Sequence, residues 1–449
     1  MTGKERIYKV FRNKKVDKLP WVPFAGVHAG KLKDYTAREV LQDKDKLLES
    51  LLEVNKIYRP DGQPVIFDLQ VEAEILGCEL KWAEDAPPTV ASHPLSDTSE
   101  IPDKIPAEDE GRLAMIVDVM KKMKTEVGGD TALYGLICGP FTLASHLRGT
   151  NLFMDMITDP EYVKELLAYT VKVSIAIAKY YIDAGMDVIA AVDPMVSQIS
   201  PVHFKEFLND PFSKLFDYIA EEGALSSFFV CGNASNNIEE MCLTKPDSVS
   251  VDENVDLAAA KKITDKYEIV IGGNIPLTTI MLFGTQQDNM KCVVDLIDSL
   301  YNTDNLIIAP GCDMPYDVPI DNTVAIEQAV HQTEQIRDMV ANYEAVEDDI
   351  EVELPDYDNL GKALIEVFTL DSATCAACTY MMEAANDAKD HFGKEVEVIE
   401  YKYTSRENIA RTKKMGVMNL PSIYINGELA YRSIVPNRSE LIERIGECL

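Results

Sequence analysis

Apolar residues along this chain follow two rhythms. Short runs, many of them β-branched, recur at residues 21–26, 64–69, 132–137, 187–192, 227–230, 248–251, 268–271 and 305–309. Between them lie longer stretches with apolar residues at helical spacing, for example 159–181, 201–222, 257–266 and 289–301. Continuous apolar strands separated by helices predict a parallel sheet covered on both faces. Eight such units predict closure into a (β/α)8 barrel. An open doubly wound sheet is the alternative, but no G-x-G-x-x-G follows any of the runs. At the start of the chain, Ile7, Val10 and Phe11 sit at helical spacing and predict a short amphipathic helix.

The pattern breaks once. Residues 344–358 read EAVEDDIEVELPDYD, with eight acids, no base and one proline. Like charges and a proline keep such a segment extended, so residues 344–360 read as a linker between a barrel over 1–343 and a small domain over 361–449. The small domain reads as strand 363–370, helix 379–391, strand 395–403, helix 406–414, hairpin 422–434 and helix 439–447. Asn426-Gly427 supplies the hairpin turn.

Charge excludes some partners. With 43 Lys+Arg against 75 Asp+Glu the formal net charge is −32. Such acidity repels phosphate backbones and anionic head groups, so no nucleic acid and no membrane surface is expected as a partner. From residue 361 onward bases nearly match acids, which leaves the barrel and linker holding most of the negative charge. No apolar run approaches the roughly 20 residues that span a bilayer. The basic first residues lack the apolar core of a signal peptide. A cytoplasmic location follows as the expectation, and with it nine cysteines that are mostly reduced.

Chemistry concentrates just after the apolar runs. Those ends carry His28, Asp68 and Glu72, Cys138, Asp193, Cys231 and Asn233, Asp252, Asn274 and Cys312. Barrel enzymes place their catalytic groups at the carboxyl ends of the strands. Helix caps explain an Asp or Asn or two, but not several cysteines and a histidine, so an enzyme is the better reading. His93, His203, His331 and His391 lie outside these ends and read as surface or helix residues. In the small domain, Cys375-Ala-Ala-Cys378 opens a helix after a strand, and Leu420-Pro421 precedes the next strand. A thiol at a helix amino terminus is favoured as thiolate by the exposed N–H groups, which makes it a nucleophile.

These features resemble the thioredoxin/glutaredoxin family over about 90 residues. The resemblance implies a cis proline at Pro421 packed against the Cys375–Cys378 pair, and thiol-redox activity or a docking role. The larger part resembles the uroporphyrinogen decarboxylase superfamily over roughly residues 3–342. The phrases that carry it include DKLPWVPF (17–24), FDLQVEAEILGCEL (67–80), GPFTLASHLRGT (139–150), VDPMVSQISPVHFKEF (192–207), VCGNASNNI (230–238), GGNIP (272–276) and APGCDMPYDVPIDN (309–322). The decarboxylases' arginine-rich signature after the first strand is missing, where this chain has GVHAGKLKDY. Cys231 and Cys312 fall on the zinc motif of the corrinoid-dependent branch, the methylcobamide:coenzyme M methyltransferases. That branch implies methyl transfer between a separate corrinoid protein and a thiol or methylated small substrate. It implies zinc on Cys231 and Cys312, with His28 or Cys138 as a further ligand, because the motif's histidine falls on Phe229. Asp68, Glu72, Asp193 and Asn233 would then line the pocket. The alternatives are porphyrinogen decarboxylation, or a non-catalytic corrinoid- or tetrapyrrole-binding module with a redox or docking arm.

Overall fold

A computed structural model describes residues 1–344, 350–373 and 375–449. The chain divides into two compact units. The acidic segment expected at 344–360 lies partly outside the described residues, which resume at 350.

The first unit is the expected barrel. Its strands are β1 (Gly62–Pro64), β2 (Ala132–Cys138), β3 (Val188–Val192), β4 (Leu225–Val230), β5 (Ser248–Val251), β6 (Val270–Ile275) and β7 (Leu306–Pro310). They pair in parallel in chain order. Trp21 and Val22 fill the eighth position. Trp21 bridges Ile308 of β7, and its carbonyl accepts the N–H groups of Asp61 and Gly62 beside β1. Two of the predicted strands are therefore shorter than expected, for one reason. Pro20 and Pro23 flank the bridge and Pro64 ends β1, and a proline has no N–H to give a ladder.

Inward-facing aromatics fill the barrel. The Phe24 ring lies 4.7 Å from Phe229, 6.2 Å from Phe67 and 6.4 Å from Tyr134, centroid to centroid. Val188, Ala190, Val192, Val270, Ile307 and Ala309 complete the same buried cluster. Helix α1 (Gly3–Val10) is started by a reciprocal capping box between Thr2 and Glu5. Ile7, Val10 and Phe11 join the cluster from that helix, while Lys4 pairs at 2.8 Å with Asp187 ahead of β3. The helix thus covers the amino-terminal end of the barrel.

That end is held by ions. Asp61, just ahead of β1, pairs with Arg6 of α1, accepts the Trp21 N–H at 2.8 Å and meets His331 Nε2 at 2.9 Å. His331 closes helix α3 (Ile320–His331), and its Nδ1 lies 2.8 Å from Glu327. His331 is a helix residue, one of the two expected settings, but a buried one, its side chain only 6% exposed. Burial alone would lower its pKa, but bonds to Asp61 and Glu327 outweigh that and raise it, favouring the imidazolium.

In the second unit, β8 (Ala363–Thr369) runs parallel to β9 (Val396–Lys402) and antiparallel to β10 (Ser422–Ile425), which pairs with β11 (Glu428–Arg432). Asn426 and Gly427 turn between the last two with φ of 50° and 81°. Helices α4 (Ala376–Phe392), α5 (Arg406–Lys414) and α6 (Arg438–Gly446) complete the unit. Met381, Ala385 and Ala388 of α4 and Leu441 and Ile445 of α6 bury against β8 and β10. Residues 352–359 pack here too: Lys414 bonds the Val352 carbonyl at 2.6 Å, and the Tyr357 hydroxyl donates to Glu366 at 2.8 Å. Among the described residues no helix is long and apolar enough to cross a membrane.

A raised imidazole pKa stabilises the fold below the ordinary value of 6.5, and that stabilisation is lost as pH rises through the folded value. His331→Ala is therefore expected to lower the barrel's melting temperature most near pH ~6, by about 3 kcal/mol of stability, and progressively less toward pH ~9. Thermal melts of both proteins across that range check this. A difference that stays constant with pH would contradict it.

Candidate active site

The carboxyl ends of the strands converge on a mouth walled by carboxylates. Asp68 follows β1, accepts the Gln70 N–H at 2.9 Å and pairs with Arg112, which also holds Glu74 at 2.7 Å. Glu72 is buried and accepts the Cys138 N–H at 3.0 Å. With little water to solvate a charge, its carboxyl is pushed up to about 7.

Asp193 is different. It is wholly buried and accepts the N–H groups of Phe141 at 2.9 Å and Thr142 at 3.1 Å, and the Thr142 hydroxyl at 2.6 Å. Those groups open helix α2 (Pro140–Arg148), so this carboxylate caps the helix and does not face the opening. Gly139 is glycine because a Cβ there would meet the Asp193 carboxylate at 2.3 Å. Asn233 accepts the N–H and hydroxyl of Ser235 at 3.1 and 2.6 Å, which makes it a turn residue.

The two cysteines assigned to zinc are joined to each other. Cys231 after β4 and Cys312 after β7 form a disulfide across 81 residues of sequence, resting on the aromatic cluster. A sulfur bonded in a disulfide has no thiolate to give a metal. Neither candidate further ligand serves. The Tyr316 carbonyl can only accept, so His28 Nδ1 donates to it at 2.9 Å, and Nε2 then accepts from the Tyr58 hydroxyl at 2.6 Å. Burial pulls His28 down to about 4, keeping the ring neutral with both nitrogens occupied. Cys138 is fully buried, and burial pushes its thiol well up. Phe229, at the motif's histidine position, is wholly buried in the aromatic cluster. Among the described residues no three His, Cys, Asp or Glu side chains are grouped to hold a metal. The residues of this mouth do not fit zinc, which corrects that expectation.

Three further groups complete the mouth. Asp313, beside Cys312, accepts the Gly26 N–H at 2.8 Å, and burial pushes its carboxyl well up. Asp252, after β5, accepts the Gly232 N–H at 2.8 Å. Its neighbour Glu253 bonds the Leu277 N–H, and burial together with Asp252 pushes it up to about 8. Arg112, Glu253 and Asp313 were missed because each stands a residue or more away from an apolar run. The glycines opposite were the available signal: a Cβ on Gly26 would meet Asp313 at 2.4 Å, and one on Gly311 would meet the Glu253 backbone at 2.6 Å. An open depression of about 810 Å³ lies at the other end of the barrel, between Lys18, Asn305 and Arg337.

In the second unit Cys375 stands at the amino terminus of α4, half-buried, and Cys378 is fully buried; both are free thiols. The Cys375 sulfur accepts the Cys378 N–H at 3.3 Å, and the Cys378 sulfur accepts the Leu370 N–H at 3.4 Å. Burial, and then the neighbouring Cys375, push the Cys378 thiol well up. The Leu420–Pro421 peptide is cis, as the resemblance implied.

A closed parallel barrel with its polar groups at the carboxyl ends of the strands has the layout of a barrel enzyme. The uroporphyrinogen decarboxylase (URO-D) family profile matches residues 2–333, and a thioredoxin domain profile matches residues 364–446. The chain belongs to the uroporphyrinogen decarboxylase family through its barrel, and carries a thioredoxin domain after it. It is 28% identical over 330 residues to the methylcobamide:CoM methyltransferase MtbA of Methanosarcina acetivorans, covering 72% of this chain and 95% of that one. It is 26% identical over 271 residues to the uroporphyrinogen decarboxylase of Nostoc punctiforme, covering 59% and 76%. A solved methyltransferase from Methanosarcina mazei shares the fold, with a TM-score of 0.67 at 22% identity over 76% of this chain and 99% of that one.

Two outcomes check this site. Alkylation of denatured, unreduced Cys375→Ser protein should label the remaining free cysteines and spare Cys231 and Cys312; labelling of those two would refute the pairing. Asp193→Ala leaves three buried donors unpaired and should cost about 3 kcal/mol of barrel stability by denaturant titration. A cost near zero would mean that Asp193 does not cap α2.

Proposed function

We propose that the barrel moves a methyl group between a corrinoid carried by a separate protein and a small thiol or methylated substrate. The observation that carries this reading is Glu253. Methylating a thiol releases the thiol's proton, and a group must take it at neutral pH. A carboxyl pushed up to about 8 stands close to the pKa of an ordinary thiol, where proton exchange in either direction is efficient. One Glu253 oxygen is fixed by the Leu277 N–H, which orients the carboxyl. Asp68 and Asp313 line the same mouth.

The charge of the mouth supports the same choice. A porphyrinogen with eight carboxylates needs cations, and Arg112 is already committed to Asp68 and Glu74. The aligned span of MtbA, 95% of that protein, supports the methyltransferase branch further. A neutral substrate, or a thiol that arrives protonated, suits an acidic mouth better than a polyanion.

Methylcobalamin and coenzyme M serve as probes for the full chain. The account expects consumption of methylcobalamin with appearance of the methyl thioether, and a kcat lower by about 100-fold in Glu253→Gln. Carbon dioxide release from uroporphyrinogen without any methyl transfer would overturn it.

A further inference from the structure

The chain holds two cysteine pairs in opposite redox states. Cys231 and Cys312 form a disulfide at the barrel mouth, and both residues are only partly buried. Cys375 and Cys378 are a dithiol. Cys375 caps α4 and is half-exposed, whereas Cys378 is fully buried behind it. A partly exposed sulfur at a helix amino terminus is the attacking member of such a pair, and a buried neighbour three residues on is the resolving one. The mouth disulfide stands where the family resemblance led us to expect a metal.

We propose that the Cys231–Cys312 disulfide is a substrate of the Cys375–Cys378 dithiol. This inference stands apart from the methyl-transfer reading, since it concerns sulfur chemistry and not the methyl group. The Cys375 thiolate attacks one sulfur of the mouth disulfide. The Cys231–Cys312 bond breaks, a mixed disulfide to Cys375 forms, and the displaced cysteine leaves as thiolate and takes a proton. Cys378 then loses its proton and attacks the Cys375 sulfur. The mixed disulfide breaks and the second mouth cysteine is released and protonated. Two electrons and two protons have moved from Cys375 and Cys378 to Cys231 and Cys312. An external low-potential dithiol returns the first pair to the reduced state.

The mouth is built to keep its shape through this change. Gly232, next to Cys231, is fixed to Asp252 by its N–H, and Gly311, next to Cys312, packs on the Glu253 backbone. Reduction therefore places two thiols in the carboxylate mouth without releasing the loops that carry them.

The test uses the full chain with its mouth disulfide intact. In Cys378→Ser the mixed disulfide cannot be resolved, so mass spectrometry of the digested, unreduced protein should find Cys375 linked to Cys231 or Cys312. Given limiting dithiothreitol, the wild-type mouth disulfide should be reduced at least about tenfold faster than that of Cys375→Ser, read by differential alkylation. A rate that is independent of protein concentration marks exchange within one chain, and a rate that rises with it marks exchange between chains; either supports the proposal. Equal rates in wild type and Cys375→Ser, with no linked peptide in Cys378→Ser, would overturn it.

Discussion

The aromatic packing inside the barrel is what the mouth depends on. Phe24, Phe67, Tyr134 and Phe229 come from four different staves and meet because the ring closes at Trp21. That packing lies against the disulfide. The acid groups respond as buried acids must, with Glu72, Glu253 and Asp313 all pushed up mainly by burial. Such a mouth holds proton donors and acceptors suited to neutral pH.

Phe229 shows how one residue changes a site. A histidine there would bring a ligand to the mouth; phenylalanine brings a ring that packs 4.7 Å from Phe24 instead. With that ligand gone, Cys231 and Cys312 pair with each other. A free dithiol such as Cys375–Cys378 is a reagent for disulfides, so the two departures from a plain barrel enzyme are chemically complementary. The opposite end of the barrel does separate work. There Arg6, Asp61, Glu327 and His331 hold α1 and α3 to the first strands.

Much of the fold was legible because each buried strand is a continuous apolar run and each helix repeats at its own period. Where strands were misjudged, Pro20, Pro23 and Pro64 gave the reason in advance. The site was harder to read. Asp193 and Asp68 occupy equivalent places after their strands, and only packing distinguishes a helix cap from a mouth carboxylate. Phe229 visibly broke the zinc motif, but the distance between Cys231 and Cys312 is set by the closure of the ring. Arg112 lies on a helix far from any strand end, and nothing local marks it as a partner of Asp68.

The central claim is that the packed interior holds mouth carboxyls protonated near neutral pH, and Glu72 tests it most directly. Infrared titration of the protonated carboxyl band, taken as the difference between wild type and Glu72→Gln, isolates that group. The account predicts a midpoint of about 7. A midpoint at the ordinary glutamate value of 4.5 would contradict it.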